Sequence, residues 1–488
     1  MFFGVQIYIK TYNTTVTIIK ICIFVQKNIY AVMRKYVYLA VAVTVIYFFQ
    51  SFLLPTGGIG ADSLSYFGIA SDLPRIKTNL FPLGFPVLIK IFYTFFQDYF
   101  WAGKMLNIFM VILLLLFSYF RKFYFRETVL LFTGKTLFFA MNLVVSEGPF
   151  IFLLYFLIYF FHERISEKIA SKQFVFFTSV LLLLLFAVRY SGIYIYMGIG
   201  VFWLWMILKK KYSEVQKDFL WVLIIAGLGI GLYLGFNHFN FGSFTGEHLR
   251  GAPAQIHPIY LLRNFLAMTN VTDPFIGIKP ASNSFISIGF QVGLMIFDLL
   301  LLRYIIRLVR QKKALLQLEF HYLLWIIAAV YTVTLFISGL FQQIEEMNVR
   351  MLAAANFCLF FSFLFIYFKN LRSDRFIFGL GCFFLLFLTV YSLKNPSNYL
   401  RNKSIIEPQM PKFKDKEYLF DDEKSVSDIT VYHIPVLNKS FSYQHTNAQK
   451  GEWKQSIGGT INPQIKWMKY DTIKDKSKVL YTSQLMLK

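Results

Sequence analysis

Two carboxylates and two guanidiniums lie near the ends of apolar runs. An ionisable side chain at such a position has a large desolvation cost. Asp62 follows a glycine-rich stretch, Glu147 lies between two apolar runs, Arg189 ends another run and Arg350 precedes a later one. Ionisable groups at membrane depth or just outside it are default candidates for function. A carboxylate can take a proton from a hydroxyl nucleophile, and a guanidinium fork can bind a phosphate. The sequence therefore nominates Asp62 and Glu147 as catalytic acids or bases, and the arginines as phosphate ligands.

Each of these residues also has a purely structural interpretation. Asp62 precedes a helical pattern and would cap it well, which on spacing alone is as good an explanation as catalysis. Glu147 would complement the dipole at a helix N-terminus. Arg189 would extend its guanidinium to lipid headgroups, and the same default applies to Lys104 and Lys135, which lie within apolar runs. Spacing leaves both interpretations open.

Further polar residues on the same predicted side of the membrane are weaker candidates. Asp72 taken alone is better explained as a solvated loop charge, and the acid, imidazole and cation of the 246–251 turn fit a solvated loop face equally well. The candidates are Lys77 for the donor phosphate, and Tyr66, Asp72, Glu247, His248 and Arg250 for substrate. Zincin, phosphate-binding-loop and dinucleotide motifs are absent from the sequence. The sequence thus predicts no required cofactor and no metal site, and it leaves the use of a divalent metal ion open.

The composition indicates a membrane protein. Of 488 residues, 57% are hydrophobic, 19% are aromatic and only 15% are charged, whereas a soluble chain carries about 25% charged residues. This excludes a soluble multidomain enzyme and a disordered protein. Three cysteines without a CxxC pair exclude a disulfide scaffold. The net charge of +23 would suggest nucleic-acid binding in a soluble protein, but the positions of the charges give another explanation.

The chain contains about eleven runs that approach the roughly 20 apolar residues of a spanning helix. Their approximate bounds are 36–54, 101–120, 129–146, 148–161, 174–190, 193–208, 219–236, 286–302, 320–340, 351–368 and 376–393. If the first run enters from the cytoplasm, every predicted inside connection is rich in Lys and Arg, as the positive-inside rule requires. These connections are 121–126, 164–172, 209–217, 303–313 and 369–375. The basic charge is therefore mainly an orientation signal.

Four regions lie outside the predicted hydrocarbon core. Residues 1–35 are either an extra amphipathic or spanning segment or, as we favour, an over-extended start before a natural start at Met33. The first outside loop, 55–100, turns amphipathic over 81–96 and predicts an interfacial helix. A second outside loop covers 237–285. Residues 394–488 are polar, with alternating stretches, and predict a small α/β or mainly β domain outside the membrane domain of residues 36–393.

Several short motifs, taken in order, resemble the integral-membrane glycosyltransferases of the GT-C fold. More narrowly, they resemble the bacterial family of protein mannosyltransferases and the lipid A aminoarabinose transferase. The motifs are Gly60-Ala-Asp62 with Tyr66, Phe81-Pro-Leu-Gly-Phe-Pro86, Ser146-Glu-Gly-Pro149, Arg189 and, by position, Arg350. The resemblance covers roughly residues 36–260.

The resemblance implies an all-α polytopic fold that uses a sugar donor linked to polyprenyl phosphate on the outer face of the cytoplasmic membrane. It implies that Asp62 assists the acceptor nucleophile, and that basic residues hold the lipid phosphate. The acceptor would be a lipid, a polysaccharide or a protein, with no nucleic acid involved. The sequence departs from the family because Leu83 separates the interfacial prolines and Ser63 follows Asp62 where some mannosyltransferases have Glu. Protein O-mannosylation is accordingly not favoured.

Two other functions compete with the transferase. A polysaccharide polymerase of the O-antigen type would rely on outside arginines rather than on an early aspartate. A non-catalytic lipid or polysaccharide transporter would show internal repeats and broken helices around a central pathway. The two halves of this chain do not look alike, and its polar residues are concentrated at the outer ends of the runs.

Overall fold

A computed structural model describes residues 33–50, 61–76, 78–210, 213–247, 258–273, 284–311, 316–341, 347–370, 374–392, 429–434 and 439–444. Within these residues the chain forms fifteen α-helices and one β-hairpin. The helices are α1 (33–50), α2 (Ala61–Asp72), α3 (Gly84–Phe96), α4 (Tyr99–Phe120), α5 (Phe125–Leu131), α6 (Lys135–Asn142), α7 (Glu147–Ile165), α8 (Ser171–Val188), α9 (Gly192–Leu208), α10 (Ser213–Phe241), α11 (Pro258–Thr269), α12 (Phe285–Gln311), α13 (Leu318–Phe341), α14 (Ala353–Asn370) and α15 (Arg375–Ser392).

Six of the described helices are long and apolar enough to cross a membrane: α4, α7, α8, α10, α12 and α13. The other predicted runs coincide with helices outside this group of six, namely α1, the α5–α6 pair, α9, α14 and α15. The all-helical membrane architecture is confirmed, whereas the count of eleven spans stays a prediction.

The third predicted run, 129–146, is not one continuous helix. It divides between α5 and α6 at Thr133-Gly134, where the backbone N–H groups of both residues bond back to Leu130 and Leu131 and end α5. After α6 the backbone turns extended at Leu143 (φ −90°, ψ 145°). Residues 143–146 thus form a short connection between α6 and Glu147, the first residue of α7.

The predicted interfacial segment forms helix α3, whose N-terminus packs against the end of α8. A side chain at Gly84 would approach the Ala187 carbonyl oxygen to 2.6 Å, so only glycine fits there. Phe85 and Ile89 are buried, whereas Val87, Ile91 and Phe95 form an exposed apolar face. Helix α3 therefore has the amphipathic character that the sequence predicts.

The predicted outer domain is described only as a hairpin. Strand β1 (Ile429–Ile434) pairs antiparallel with β2 (Lys439–Gln444), with Ile429 opposite Gln444 and Ile434 opposite Lys439. The rest of 394–488 and the segment 1–32 lie outside the described residues, so the domain and the proposed start at Met33 remain predictions.

Candidate active site

Glu147 is the first residue of α7 and lies at the centre of a buried charge cluster. Its Oε1 atom is 2.7 Å from Arg189 Nη1 and 3.1 Å from Arg350 Nε. The Glu147 side chain is only 7% exposed. One carboxylate oxygen therefore accepts from two guanidiniums that are far apart in the sequence.

Arg189 directly follows α8, where an extended backbone (φ −154°, ψ 127°) turns its side chain away from the helix axis. Its Nε donates to Ser191 Oγ at 3.0 Å, and the Ser191 hydroxyl lies 3.1 Å from the buried Tyr331 hydroxyl. These contacts and the bond to Glu147 hold the guanidinium in one orientation.

Arg350 lies in the turn before α14 and links the cluster to Asp62. The turn is anchored because Asn264 of α11 accepts the Met347 N–H at 2.7 Å. The Arg350 Nη2 atom lies 3.4 Å from Asp62 Oδ2. The same guanidinium thus contacts Glu147 through Nε and Asp62 through Nη2.

Asp62 is the second residue of α2 and therefore lies inside the first helical turn. It is not at the N-cap position that a purely structural role would require. Its side chain is 42% exposed. The cluster therefore runs from a buried carboxylate, through two arginines, to a carboxylate that solvent or a ligand can reach.

Tyr66 lies in the same cluster but faces inward. Its ring is buried, and its hydroxyl donates to Ser146 Oγ at 3.0 Å. Burial, together with the nearby Asp62 and Glu147 carboxylates, raises the pKa of the phenol. Tyr66 is therefore a neutral hydrogen-bond donor to the residue that precedes Glu147.

Two other predicted substrate residues, Asp72 and Glu247, do not join the cluster. Asp72 is the last residue of α2, about 15 Å along the helix from Asp62 at 1.5 Å per residue. Glu247 closes its own turn, because its two carboxylate oxygens accept the N–H groups of Phe244 (3.1 Å) and Thr245 (2.8 Å). Burial alone would raise the pKa of Glu247, but these backbone bonds hold it below its usual value. Lys77, His248 and Arg250 lie outside the described residues.

The sequence also predicts Glu345 or Glu346 as the structural partner of Arg350. Both acids lie outside the described residues, so this pairing stays a prediction, whereas the contacts of Arg350 with Glu147 and Asp62 were not predicted. Contrary to the sequence prediction, Lys104 does not extend its ammonium to the lipid headgroups. It is 1% exposed, and its ammonium donates to the Asn142 carbonyl at 2.5 Å.

Residues that the sequence did not single out complete the surroundings of the site. Ser63 and Asn107 donate to backbone carbonyls just before Glu147, and Ser191 and Tyr331 orient Arg189. Asn107 follows Lys104 by three residues, so both project from one face of α4, and this spacing was the available signal. Among the described residues, no group of three or more His, Cys, Asp and Glu side chains forms a metal site.

Comparison with known proteins identifies the fold. No protein-family model matches the chain, and no curated protein matches it. The crystal structure of ArnT from Cupriavidus metallidurans bound to undecaprenyl phosphate matches with a TM-score of 0.53 and 11% identity, over 88% of each chain. The apo structure of the same protein matches with a TM-score of 0.52 and 11% identity, over 89% of each chain.

The chain has the fold of ArnT. The resemblance to GT-C glycosyltransferases that the short motifs suggest is thus confirmed at the level of the fold. Together with the apolar helices, the ArnT-like fold makes this chain a membrane protein. In the first of these structures, ArnT holds a polyprenyl phosphate.

Proposed function

We propose that this protein transfers a sugar from a polyprenyl-phosphate-linked donor to a hydroxyl acceptor at the outer face of the cytoplasmic membrane. The observation that carries the proposal is the placement of Arg350 between Glu147 and Asp62. Two guanidiniums that can bind a phosphate lie next to an exposed carboxylate that can accept a proton. The ArnT fold, seen with undecaprenyl phosphate in ArnT itself, supports a lipid-phosphate ligand.

The reaction follows from the chemistry of these groups. The acceptor hydroxyl oxygen forms a bond to the anomeric carbon of the donor sugar, and the bond from that carbon to the phosphate oxygen breaks. The polyprenyl phosphate leaves with the bonding electron pair, and Asp62 takes the proton of the acceptor hydroxyl. Arg189 and Arg350 stabilise the charge that develops on the leaving phosphate, because they are fixed before the reaction begins.

In this proposal Glu147 positions the arginines and does not exchange a proton. Its Oε1 already accepts from both guanidiniums, and its side chain is buried behind them. Asp62 is the better base because its side chain is 42% exposed, whereas that of Glu147 is 7% exposed, and because its contact with Arg350 is long, at 3.4 Å.

The test compares the glycolipids, surface polysaccharides and glycoproteins of cells with and without this gene by mass spectrometry. We expect one sugar unit to be lost on deletion, restored by the natural protein and not restored by Asp62→Asn. Asp98→Asn is the matched control, since Asp98 accepts the Trp101 N–H as the cap of α4 and asparagine caps a helix equally well.

Two results would contradict the proposal. If Asp62→Asn fully restored the sugar unit, Asp62 would not be the base of the reaction. Intact sugar units with a lipid-linked precursor trapped on the inner leaflet would indicate transport instead of transfer.

A further inference from the structure

Side chains from two other helices hold the connection between α6 and α7. Four consecutive carbonyls, from Met141 to Val144, accept side-chain hydrogen bonds. The bonds are Asn107 Nδ2 to Met141 O (3.0 Å) and to Leu143 O (2.8 Å), Lys104 Nζ to Asn142 O (2.5 Å) and Ser63 Oγ to Val144 O (2.6 Å). We call residues 141–146 the pre-Glu147 segment.

The close approach of α4 to the pre-Glu147 segment leaves no free space. A side-chain carbon added at Gly103 would lie 2.4 Å from Val144 Cγ1, and one added at Gly148 would lie 3.0 Å from Asn107 Oδ1. The pre-Glu147 segment and the start of α7 therefore pack directly against α4.

The burial of Lys104 is expensive for folding alone. Desolvating an ammonium costs several kcal/mol, and a single carbonyl compensates only part of this cost. An apolar side chain of the same volume would fold at least as well. The ammonium does complement the C-terminal end of α6, but that effect, at about 0.3–1 kcal/mol, is smaller than the desolvation cost.

The segment also connects the two carboxylates of the site. Ser63, which bonds to Val144, is the neighbour of Asp62, and Tyr66 on the same helix bonds to Ser146, the neighbour of Glu147. The position of the pre-Glu147 segment therefore sets the separation between Asp62 and Glu147. Glu147 in turn sets the position of both arginines.

We propose that Lys104 and Asn107 are positioning residues for the transfer reaction. They fix the pre-Glu147 segment and thereby fix the distance between the base and the phosphate-binding arginines. This inference rests on the proposed function. A misplacement of about 1 Å between reacting groups costs about 100-fold in rate.

The test uses Lys104→Met and Asn107→Leu, which keep side-chain volume and remove the hydrogen-bond donors. We expect the initial rate of sugar incorporation in membrane vesicles to fall about 10- to 100-fold. The rate is measured on the glycan that the deletion comparison identifies. The affinity for undecaprenyl phosphate should change less than about 3-fold, because Glu147 still pairs the two arginines. The thermal midpoint of Lys104→Met should stay or rise, because a buried charge is removed.

Ser118→Ala is the matched control. Ser118 is also a buried donor on α4, but its hydroxyl bonds to Leu115 O of its own helix at 2.9 Å. We expect this variant to keep the natural rate. If the rate and the thermal midpoint of Lys104→Met fall together, or if its rate equals that of Ser118→Ala, the positioning role is refuted.

Measuring Asp62→Asn in the same vesicles distinguishes a failure of the positioning role from a failure of the proposed function. Loss of transfer in Asp62→Asn with full transfer in Lys104→Met refutes the positioning role alone. Full transfer in Asp62→Asn refutes the proposed function.

Discussion

Glu147→Gln removes the negative charge between two guanidiniums and keeps the side-chain shape. Because Glu147 Oε1 bonds to Arg189 Nη1 at 2.7 Å and to Arg350 Nε at 3.1 Å, these nitrogens lie within about 6 Å of each other. At an effective dielectric constant of about 20, two positive charges at that distance repel by about 3 kcal/mol. Breaking a buried ion pair costs about 3–5 kcal/mol in measured cases. We therefore expect the thermal midpoint of the unliganded variant to fall clearly.

The same substitution should strengthen binding of a lipid phosphate. If a phosphate bound to the two arginines is taken to lie about 5 Å from the Glu147 carboxylate, removing their repulsion gains about 3 kcal/mol at the same dielectric constant. Losing the carboxylate leaves two long side chains to be ordered by the ligand, at about 1 kcal/mol each. The balance of about 1 kcal/mol favours binding by about 5-fold. Transfer should still fall, because the arginines no longer have a fixed orientation.

The assay measures undecaprenyl phosphate affinity and thermal midpoint for the purified full chain in detergent. Arg189→Gln should weaken the affinity, whereas Glu147→Gln should strengthen it. Glu163→Gln is the matched control, since Glu163 lies toward the opposite end of α7 and pairs with His162 and Lys168. Weaker binding by Glu147→Gln than by the natural protein, with Glu163→Gln unchanged, would refute the assignment of Glu147 as a counter-ion of the phosphate ligands.

Two further predictions concern stability. Gly246→Ala should destabilise the loop after α10 by about 1–3 kcal/mol. Gly246 has φ +69°, and a side chain there would lie 2.8 Å from Leu80 Cα. Thermal melts should show this loss of stability in Gly246→Ala and no loss in Gly235→Ala, where no atom lies within 4 Å of an added side-chain carbon. Burial raises the pKa of Asp374, but bonds from Lys35 (2.7 Å) and Tyr36 lower it to a net value below the usual one. The pair therefore stabilises the fold above the unfolded pKa of about 4, and this contribution is lost as pH falls through the folded pKa. Melts between about pH 7 and pH 3 should show a smaller pH dependence in Asp374→Asn, and an unchanged dependence would contradict this reasoning.

The sequence predicted which residues stand at one side of the membrane, and this was enough to nominate the charge cluster. Asp62, Glu147, Arg189 and Arg350 each adjoin the end of an apolar run, and the alternation of runs places those ends on one side. The apolar face of α3 was predictable for a similar reason, because helical periodicity separates its buried and exposed positions.

The sequence could not predict pairings across helices. Local spacing is visible in a sequence, whereas Arg350 and Glu147, which pair in the structure, are distant in the chain. Lys104 was assigned to the membrane surface because an apolar run does not show which of its faces packs inward. The division between α5 and α6 was missed because Thr133-Gly134 is a weak break within an otherwise apolar run.

The four charged side chains of the cluster sum to zero net charge. Two arginines balance the charges of Glu147 and Asp62, so the four side chains neutralise one another before a ligand binds. In the proposed reaction the proton stays on Asp62 at first, and the total charge does not change during transfer. When that proton escapes to solvent, the site holding the leaving phosphate becomes more negative by one charge. Repulsion between the leaving phosphate and the restored Asp62 carboxylate then favours release of the product.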